Sequence, residues 1–540
     1  MQGKIAVSSG NLFLKGTLIL TVGGMVVKVI GSLNWIFLSR ILGGEGIGLY
    51  QMAFPLYLLA LNISSAGLPV AISIMTAERI ALNDFWGARR VFHLSLALLT
   101  VTGLVLSVVL FLSASWLIDF RVIRDPRAYY SLIALSPAIF FVTILASFRG
   151  YLQGWQIMTP TAVSQIIEQI MRVAAMLIFA GALLPMGLAY AAGGASLGAA
   201  VGSVAGLLAL FYYYRRLQDR FNGQINCAAV ERESGKKIVK RLVSLAWPVS
   251  LSSIMLPLVA NLDLIVVPLR LEKAGYSVNQ ATELFGYLTG MAVPLVNLAT
   301  ILTASLAVSL VPAISASHSL GDFQGVRQKI SAAFRLTYLV AIPGVVILFL
   351  LAEQIAGIVY NAPQAGGSIR ILALSVFFLG LHQISTGSLQ GMGLTLIPVL
   401  NMGLAAVIKV FLNWTLTAVP WLGIEGAAWA TVVDIGLAAG LNIYWVRRYA
   451  KFTMGSEAFF KSSVAACVMG LSMILAYGYL ENLLANAISV TMLTFALGCL
   501  SYCILLLILG GVGERDIVRI PLFGGKLCSV LHKCRLLRQH

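Results

Sequence analysis

Apolar residues in this chain run in long stretches, not at the spacing of an amphipathic helix or the alternation of a half-buried strand. A bilayer core about 30 Å thick is crossed by about 20 mainly apolar helical residues. Runs of that kind lie near 13–38, 47–75, 91–117, 131–152, 161–183, 190–212, 243–269, 284–312, 331–352, 368–388, 397–418, 425–446, 461–480 and 488–511, and predict fourteen spanning helices. The first run is too long for a removable leader and lacks its charge and cleavage pattern, so it is read as a retained helix. The predicted fold class is an all-α polytopic membrane protein.

Composition removes the alternatives. The 540 residues are 59% hydrophobic and 11% charged, with mean hydropathy +0.91. Soluble domains carry about 45–50% apolar and about 25% charged residues, and disorder requires low hydrophobicity with high charge. A water-soluble enzyme and a disordered chain are both excluded.

Charge sets the orientation. The formal balance is +17, but the basic residues concentrate between apolar runs and form no patch for nucleic acid, so no nucleic-acid partner is expected. With the N-terminus inside, the inner segments are 1–12, 76–90, 153–160, 213–242, 313–330, 389–396, 447–460 and the tail from 512. With Lys461 they hold 24 basic residues, whereas the outer segments hold six: Arg40, Arg121, Arg124, Arg127, Arg270 and Lys273. The positive-inside rule then places both termini in the cytosol and the chain in the cytoplasmic membrane. The longest inner connection, 213–242, carries eight basic residues and reads as a solvated linker that fixes topology, with membrane lipid headgroups as its candidate ligand. The six cysteines show no CxxC pair and no histidine at metal spacing. No metal site is expected, and Cys227, Cys528 and Cys534 read as free cytosolic thiols.

An internal repeat organises the spans. Tyr151-Leu152-Gln153-Gly154, Pro160 and Arg172 return as Ser388-Leu389-Gln390-Gly391, Pro398 and Lys409. Ala134-Leu135-Ser136 returns as Ala373-Leu374-Ser375, and Gly48, Pro55 and Ser64 as Gly286, Pro294 and Thr303. The shift carries span four onto span ten, so six spans map onto six with orientation kept. This predicts two parallel six-helix repeats: an N-lobe over 1–212, a basic cytoplasmic linker over 213–242 and a C-lobe over 243–446. A two-helix appendage over 447–511 and a basic tail over 512–540 follow. Duplicated bundles of this kind suit a central cavity and alternating access.

Charges within spans mark candidate chemistry, because burying one in a membrane costs about 2.5–3.5 kcal/mol on insertion scales. Lys28 and Lys409 have no acid within a turn of their own helices and read as cavity cations. Arg172 stands at the repeat position of Lys409 but lies four residues from Glu168, which could neutralise it. Arg40 and Arg270 are placed near the outer mouth, and Lys15 and Arg149 read as snorkelling toward the cytosol. Glu168, Asp263 and Asp434 are the candidate coupling or ion-pair acids. Two cations at equivalent repeat positions suit a pyrophosphate, whereas an exporter of cationic drugs needs an exposed acid, and the first span has none. His382 and the Cys499/Cys503 pair read as packing residues. No GxxxxGK[ST], nucleophile motif or HExxH occurs, so no enzyme activity and no cofactor are expected.

Ser39-Arg40-Ile41-Leu42-Gly43-Gly44-Glu45-Gly46-Ile47-Gly48-Leu49-Tyr50, Pro55, Ala66-Gly67-Leu68-Pro69-Val70-Ala71-Ile72-Ser73 and Leu306-Ala307-Val308-Ser309-Leu310-Val311-Pro312-Ala313 carry a resemblance. They resemble the polysaccharide-export branch of the multidrug/oligosaccharidyl-lipid/polysaccharide exporter superfamily, which holds the stage V sporulation protein B and MurJ-type lipid II flippase groups. The resemblance implies fourteen spans in two lobes and flipping of undecaprenyl-pyrophosphate-linked glycans. Lys28, Gly31 and Arg40-Ile41-Leu42-Gly43 fit the basic first span of the MurJ-type flippases. Asn34 stands where those have a further arginine, and Leu58-Leu59 where they have an arginine pair. The implied cargo is therefore the class, an anionic lipid-linked glycan such as a peptidoglycan or polysaccharide precursor, with cell-wall synthesis enzymes as candidate partners. Coupling to membrane potential or a monovalent cation would drive it. The competing readings are a cation-coupled drug antiporter of the same superfamily and a non-transporting scaffold.

Overall fold

The computed structural model describes residues 2–65, 67–221, 233–452, 455–484 and 486–511, with side chains from residue 20 onward except at positions 21, 220, 221, 248, 249, 251, 252, 255, 256 and 456. Cys227, Cys528, Cys534, the tail over 512–540, residues 222–232 of the linker and the Lys15 side chain lie outside the described residues. All elements are helical, and no strand occurs among the described residues. The chain is a multi-span membrane protein. Rows of large apolar side chains, such as Val101, Leu104, Val105, Val108 and Leu112, stand exposed along single helices, a surface suited to hydrocarbon and not to water.

Packing divides the chain into two compact units, Met1–Gly290 and Met291–His540. The first holds α1 (Gln2–Ser65), α2 (Leu68–Ala81), α3 (Phe85–Asp119), α4 (Tyr129–Gly154), α5 (Thr159–Leu183), α6 (Leu188–Phe221), α7 (Gly235–Lys273) and α8 (Val278–Gly286). The second holds α9 (Val293–Ala299), α10 (Ile301–Ser319), α11 (Phe323–Leu350), α12 (Ala352–Tyr360), α13 (Gly366–Gly391), α14 (Leu396–Leu416), α15 (Ile424–Ala450), α16 (Ser456–Leu483) and α17 (Ala487–Ile508). The packing boundary falls inside the eighth predicted run, later than the linker at which the sequence repeat divides. The reason is that α7 and α8 pack on α1 and α2.

Twelve stretches among the described residues are long and apolar enough to cross a membrane. The first of them, Val22–Ala81, carries two predicted runs, and α7, which holds the seventh, is not among them. Within α1 the backbone breaks at Gly43, with φ 64° and ψ −174°, where the outer turn between the first two spans was expected. Glycine is the residue that tolerates that φ without a steric penalty. The eighth run is also interrupted: a π-helical stretch over Tyr287–Ala292 and a break at Thr300 separate α8, α9 and α10. The linker is shorter than predicted, because α6 and α7 extend to Phe221 and from Gly235.

The duplication is legible in the geometry. The Asp84 carboxylate accepts from the Gly87 amide at 2.7 Å to start α3, and Asp322 accepts from Gly325 at 2.8 Å to start α11. Both are aspartate N-caps, 238 positions apart. Short 3-10 turns at Pro126–Ala128 and Pro363–Ala365 precede α4 and α13.

Repeat-related residues also touch one another where α1 meets α8. A Cβ on Gly48 would run into the Thr282 carbonyl oxygen, and one on Gly286 into the Gly44 carbonyl oxygen. Gly48 and Gly286, like Gly44 and Thr282, are 238 apart, so the two contacts exchange under the repeat. Such reciprocity is the mark of a two-fold relation. Gln51 Nε2 donates to the Thr289 carbonyl at 3.0 Å, again 238 apart.

Candidate functional site

The charged site in the first unit is built on α5. On the neighbouring helix α6, Gly198, Gly202 and Gly206 recur every four residues and form one small-residue face. A Cβ on Gly202 would lie 2.6 Å from the Glu168 carbonyl oxygen and 2.7 Å from the Arg172 Cβ. The α5 backbone is thereby pinned against α6 at the two charged residues. Arg172 Nη2 donates to Glu168 Oε1 at 2.5 Å, and Arg149 Nη2, from α4, donates to Glu168 Oε2 at 2.8 Å. Arg149 also lies within 3.5 Å of the Ser164 hydroxyl. One carboxylate thus serves two guanidiniums, and the three groups carry a net positive charge.

This cluster has unused polar capacity. Among the described residues, the buried Arg172 Nε has no hydrogen-bond partner, and neither has Asn34 Oδ1. Asn34 Nδ2 donates to the Met176 sulfur at 3.5 Å. Buried Tyr50 and Tyr57 stand within electrostatic reach of Arg172. Trp35, Tyr50, Phe54 and Tyr57 form a continuous run of ring contacts, with centroids 5.4–5.8 Å apart.

In the second unit, Lys409 on α14 lies 3.9 Å from the Asp434 carboxylate on α15, and both side chains are buried. Reading Lys409 as lacking an acid holds along its own helix but fails across the helix pair. Arg149 likewise does not snorkel; it closes an ion pair inside the bundle. The repeat explains the difference between the units. Arg172 and Lys409 sit at the same step of α5 and α14, but the acid stands on the same helix in one unit and on the next helix in the other. Counting from the starts of α6 and α15, Asp434 corresponds to Gly198, a position that α5 packs against. A carboxylate there would have no room, so the first unit places its acid at Glu168.

The remaining candidates are scattered. Lys28 and Arg40 are exposed, while Asp263 and Arg270 are half-buried on α7. Among the described residues Lys28 makes no ion pair, and no group of acids, histidines and cysteines could hold a metal. His382 Nε2 is buried without a partner, and Cys467, Cys499 and Cys503 are free thiols. One network was not anticipated. Buried Asp125 accepts from Arg127 Nε at 3.0 Å, from Arg127 Nη2 at 2.6 Å and from the Thr282 hydroxyl at 2.9 Å. Arg127 also pairs with Glu45 at 2.7 Å. Glu45 belongs to the Ser39–Gly46 stretch that carries the family resemblance, whereas its partner Arg127 lies in a loop of mixed charge that no sequence motif marks.

Comparison with known proteins places the chain. Residues 13–318 match the family described as polysaccharide biosynthesis protein, and residues 289–415 match the MatE family. The chain belongs to the polysaccharide biosynthesis protein family. It is 32% identical to stage V sporulation protein B of Bacillus subtilis (strain 168), over 95% of this chain and 98% of that protein. It is 26% identical to lipid II flippase MurJ of the same organism, covering 82% and 83% of the two chains. A solved structure of lipid II flippase MurJ in an inward closed conformation shares the fold, with TM-score 0.69, 16% identity and coverage of 93% and 100%. An inward-facing MATE transporter of the MOP superfamily does so at TM-score 0.63 and 17% identity, covering 81% and 98%.

Proposed function

We propose that the protein flips an anionic lipid-linked oligosaccharide, a peptidoglycan or polysaccharide precursor on undecaprenyl pyrophosphate, across the cytoplasmic membrane by alternating access. The observation that carries the reading is the net cationic Arg149–Glu168–Arg172 cluster inside a spanning bundle, with the unpaired Arg172 Nε available to an acceptor. A pyrophosphate brings about two charges out of water, which is expensive unless cations receive it, and guanidiniums match phosphate oxygens well. Lys28 adds a cation on the first span, and Arg172, Lys409, Arg40 and Arg270 are the further cargo residues. Similarity to the sporulation protein favours cell-wall or spore-cortex assembly as the setting, with cell-wall synthesis enzymes as partners. No catalysis is assigned, and membrane potential or a monovalent cation drives the cycle. One charge crossing 100 mV supplies about 2.3 kcal/mol.

A cation-coupled drug antiporter is the second reading, favoured by the MatE match over 289–415. Against it, Glu168 and Asp434 are already held by cations, so neither is an open acidic site for a cationic drug.

Two experiments test the proposal. Replacing Lys28 with Gln should abolish translocation of a lipid-linked glycan in vesicles at unchanged membrane abundance, while Lys15→Gln stays near normal. Full activity in a Lys28/Lys409 double Gln variant sinks the anionic-cargo reading. For topology, single cysteines introduced at Val230 and Val278 in a cysteine-free background should label from the cytosolic and external sides respectively. Labelling of both from one side refutes the orientation.

A further inference from the structure

We infer that Arg149 is a positioning residue for the cargo: it retains Glu168 as counter-ion while Arg172 turns to the cargo's phosphate oxygens. This rests on the anionic-cargo reading above and deepens it. The geometry separates the two roles. Glu168 gives one oxygen to each arginine, Oε1 to Arg172 and Oε2 to Arg149. If an anion draws Arg172 away, Oε1 loses its donor but the carboxylate keeps Arg149, so no buried charge is left alone. Arg172 has donor capacity to spare, since its buried Nε has no partner. The Gly202 contact pins the α5 backbone at Glu168 and Arg172, so Arg172 can change partner by side-chain rotation while Glu168 stays in place.

Insertion of Glu168 does not account for Arg149. A single arginine would neutralise that carboxylate, whereas a second makes the cluster cationic and raises the cost of placing it in a membrane. The extra charge is explained if the resting cluster awaits an anion. Without Arg149, Glu168 would hold Arg172 as a closed neutral pair and compete with the cargo for it.

The test is a binding titration on the full chain in lipid nanodiscs, with farnesyl pyrophosphate as the probe and farnesol as its uncharged control. Arg149→Gln should weaken farnesyl pyrophosphate binding by about tenfold, the size of one charge-assisted hydrogen bond. The double variant R149Q/E168Q has the same net charge as the native cluster and should recover binding to within about threefold. A purely structural role predicts the opposite, because a second substitution in the same cluster should further damage the site. R149M and R149M/E168Q carry the same comparison if R149Q fails to accumulate. Unchanged binding in R149Q, or a double variant as weak as the single, overturns the inference while leaving the cargo reading standing. Wild-type protein that binds farnesyl pyrophosphate no better than farnesol overturns the anionic-cargo reading, and this inference with it.

Discussion

Asp434→Asn should lower the stability of the solubilised protein by about 3–5 kcal/mol, the usual cost of breaking a buried ion pair by removing one member. Lys409 and Asp434 are both buried, on adjacent helices α14 and α15 and 3.9 Å apart. Removing the carboxylate takes the opposite charge of this pair away from a buried ammonium, and Lys409→Met takes it away from a buried carboxylate. Replacing both, as K409M/D434L, removes both desolvation penalties and should restore most of the stability. Translocation should stay lost in the double variant, because Lys409 is assigned to the cargo. Thermal denaturation of purified protein, read beside vesicle transport, separates the two effects. A double variant that is stable and fully active would show the pair to be structural alone.

The second large effect is expected where α1 crosses α8. Gly48→Ala and Gly286→Ala each place a methyl group against a backbone carbonyl oxygen that has no side chain to move aside. Overpacking of that kind costs about 1–3 kcal/mol. Because the two contacts exchange under the internal repeat, the two losses should be similar in size. Gly440→Ala on α15 is the control: nothing lies within 4 Å of its added Cβ, so the better helix former should cost nothing there. Retention of monomer on size-exclusion chromatography after stepwise heating measures all three. Tolerance of alanine at both Gly48 and Gly286 would mean that the helices can separate there without loss, and that the close contact is not needed for stability.

The spans and the duplication were legible from residue order because each depends on local properties. Transfer to hydrocarbon is summed over about 20 consecutive residues, so an apolar run declares itself without knowledge of its neighbours. The repeat was visible for the same reason: Leu389-Gln390-Gly391 after Leu152-Gln153-Gly154, and Gly286 after Gly48, are comparisons of sequence with sequence. The Glu168–Arg172 pair was also within reach, since four residues is one turn of a single helix.

Ion pairing between helices was decided by tertiary structure alone. Lys409 looked free because its acid is not on its own helix; Asp434 reaches it only once α14 and α15 pack. Arg149 looked like a snorkelling residue near a span end until α4 and α5 turned back on each other and set it beside Glu168. That pairing could have been found by folding spans four and five into a hairpin about the short segment 153–160, which puts position 149 opposite the 164–168 stretch. The same applies to the boundary between the compact units. Sequence similarity divides the chain where the duplication occurred, at the linker, whereas packing divides it at Gly290, since glycine contacts hold α8 to α1. A pattern of residues reports what each segment prefers to bury, but which charges neutralise each other depends on distances of a few ångströms between segments far apart in the chain, and only the packed helices set those.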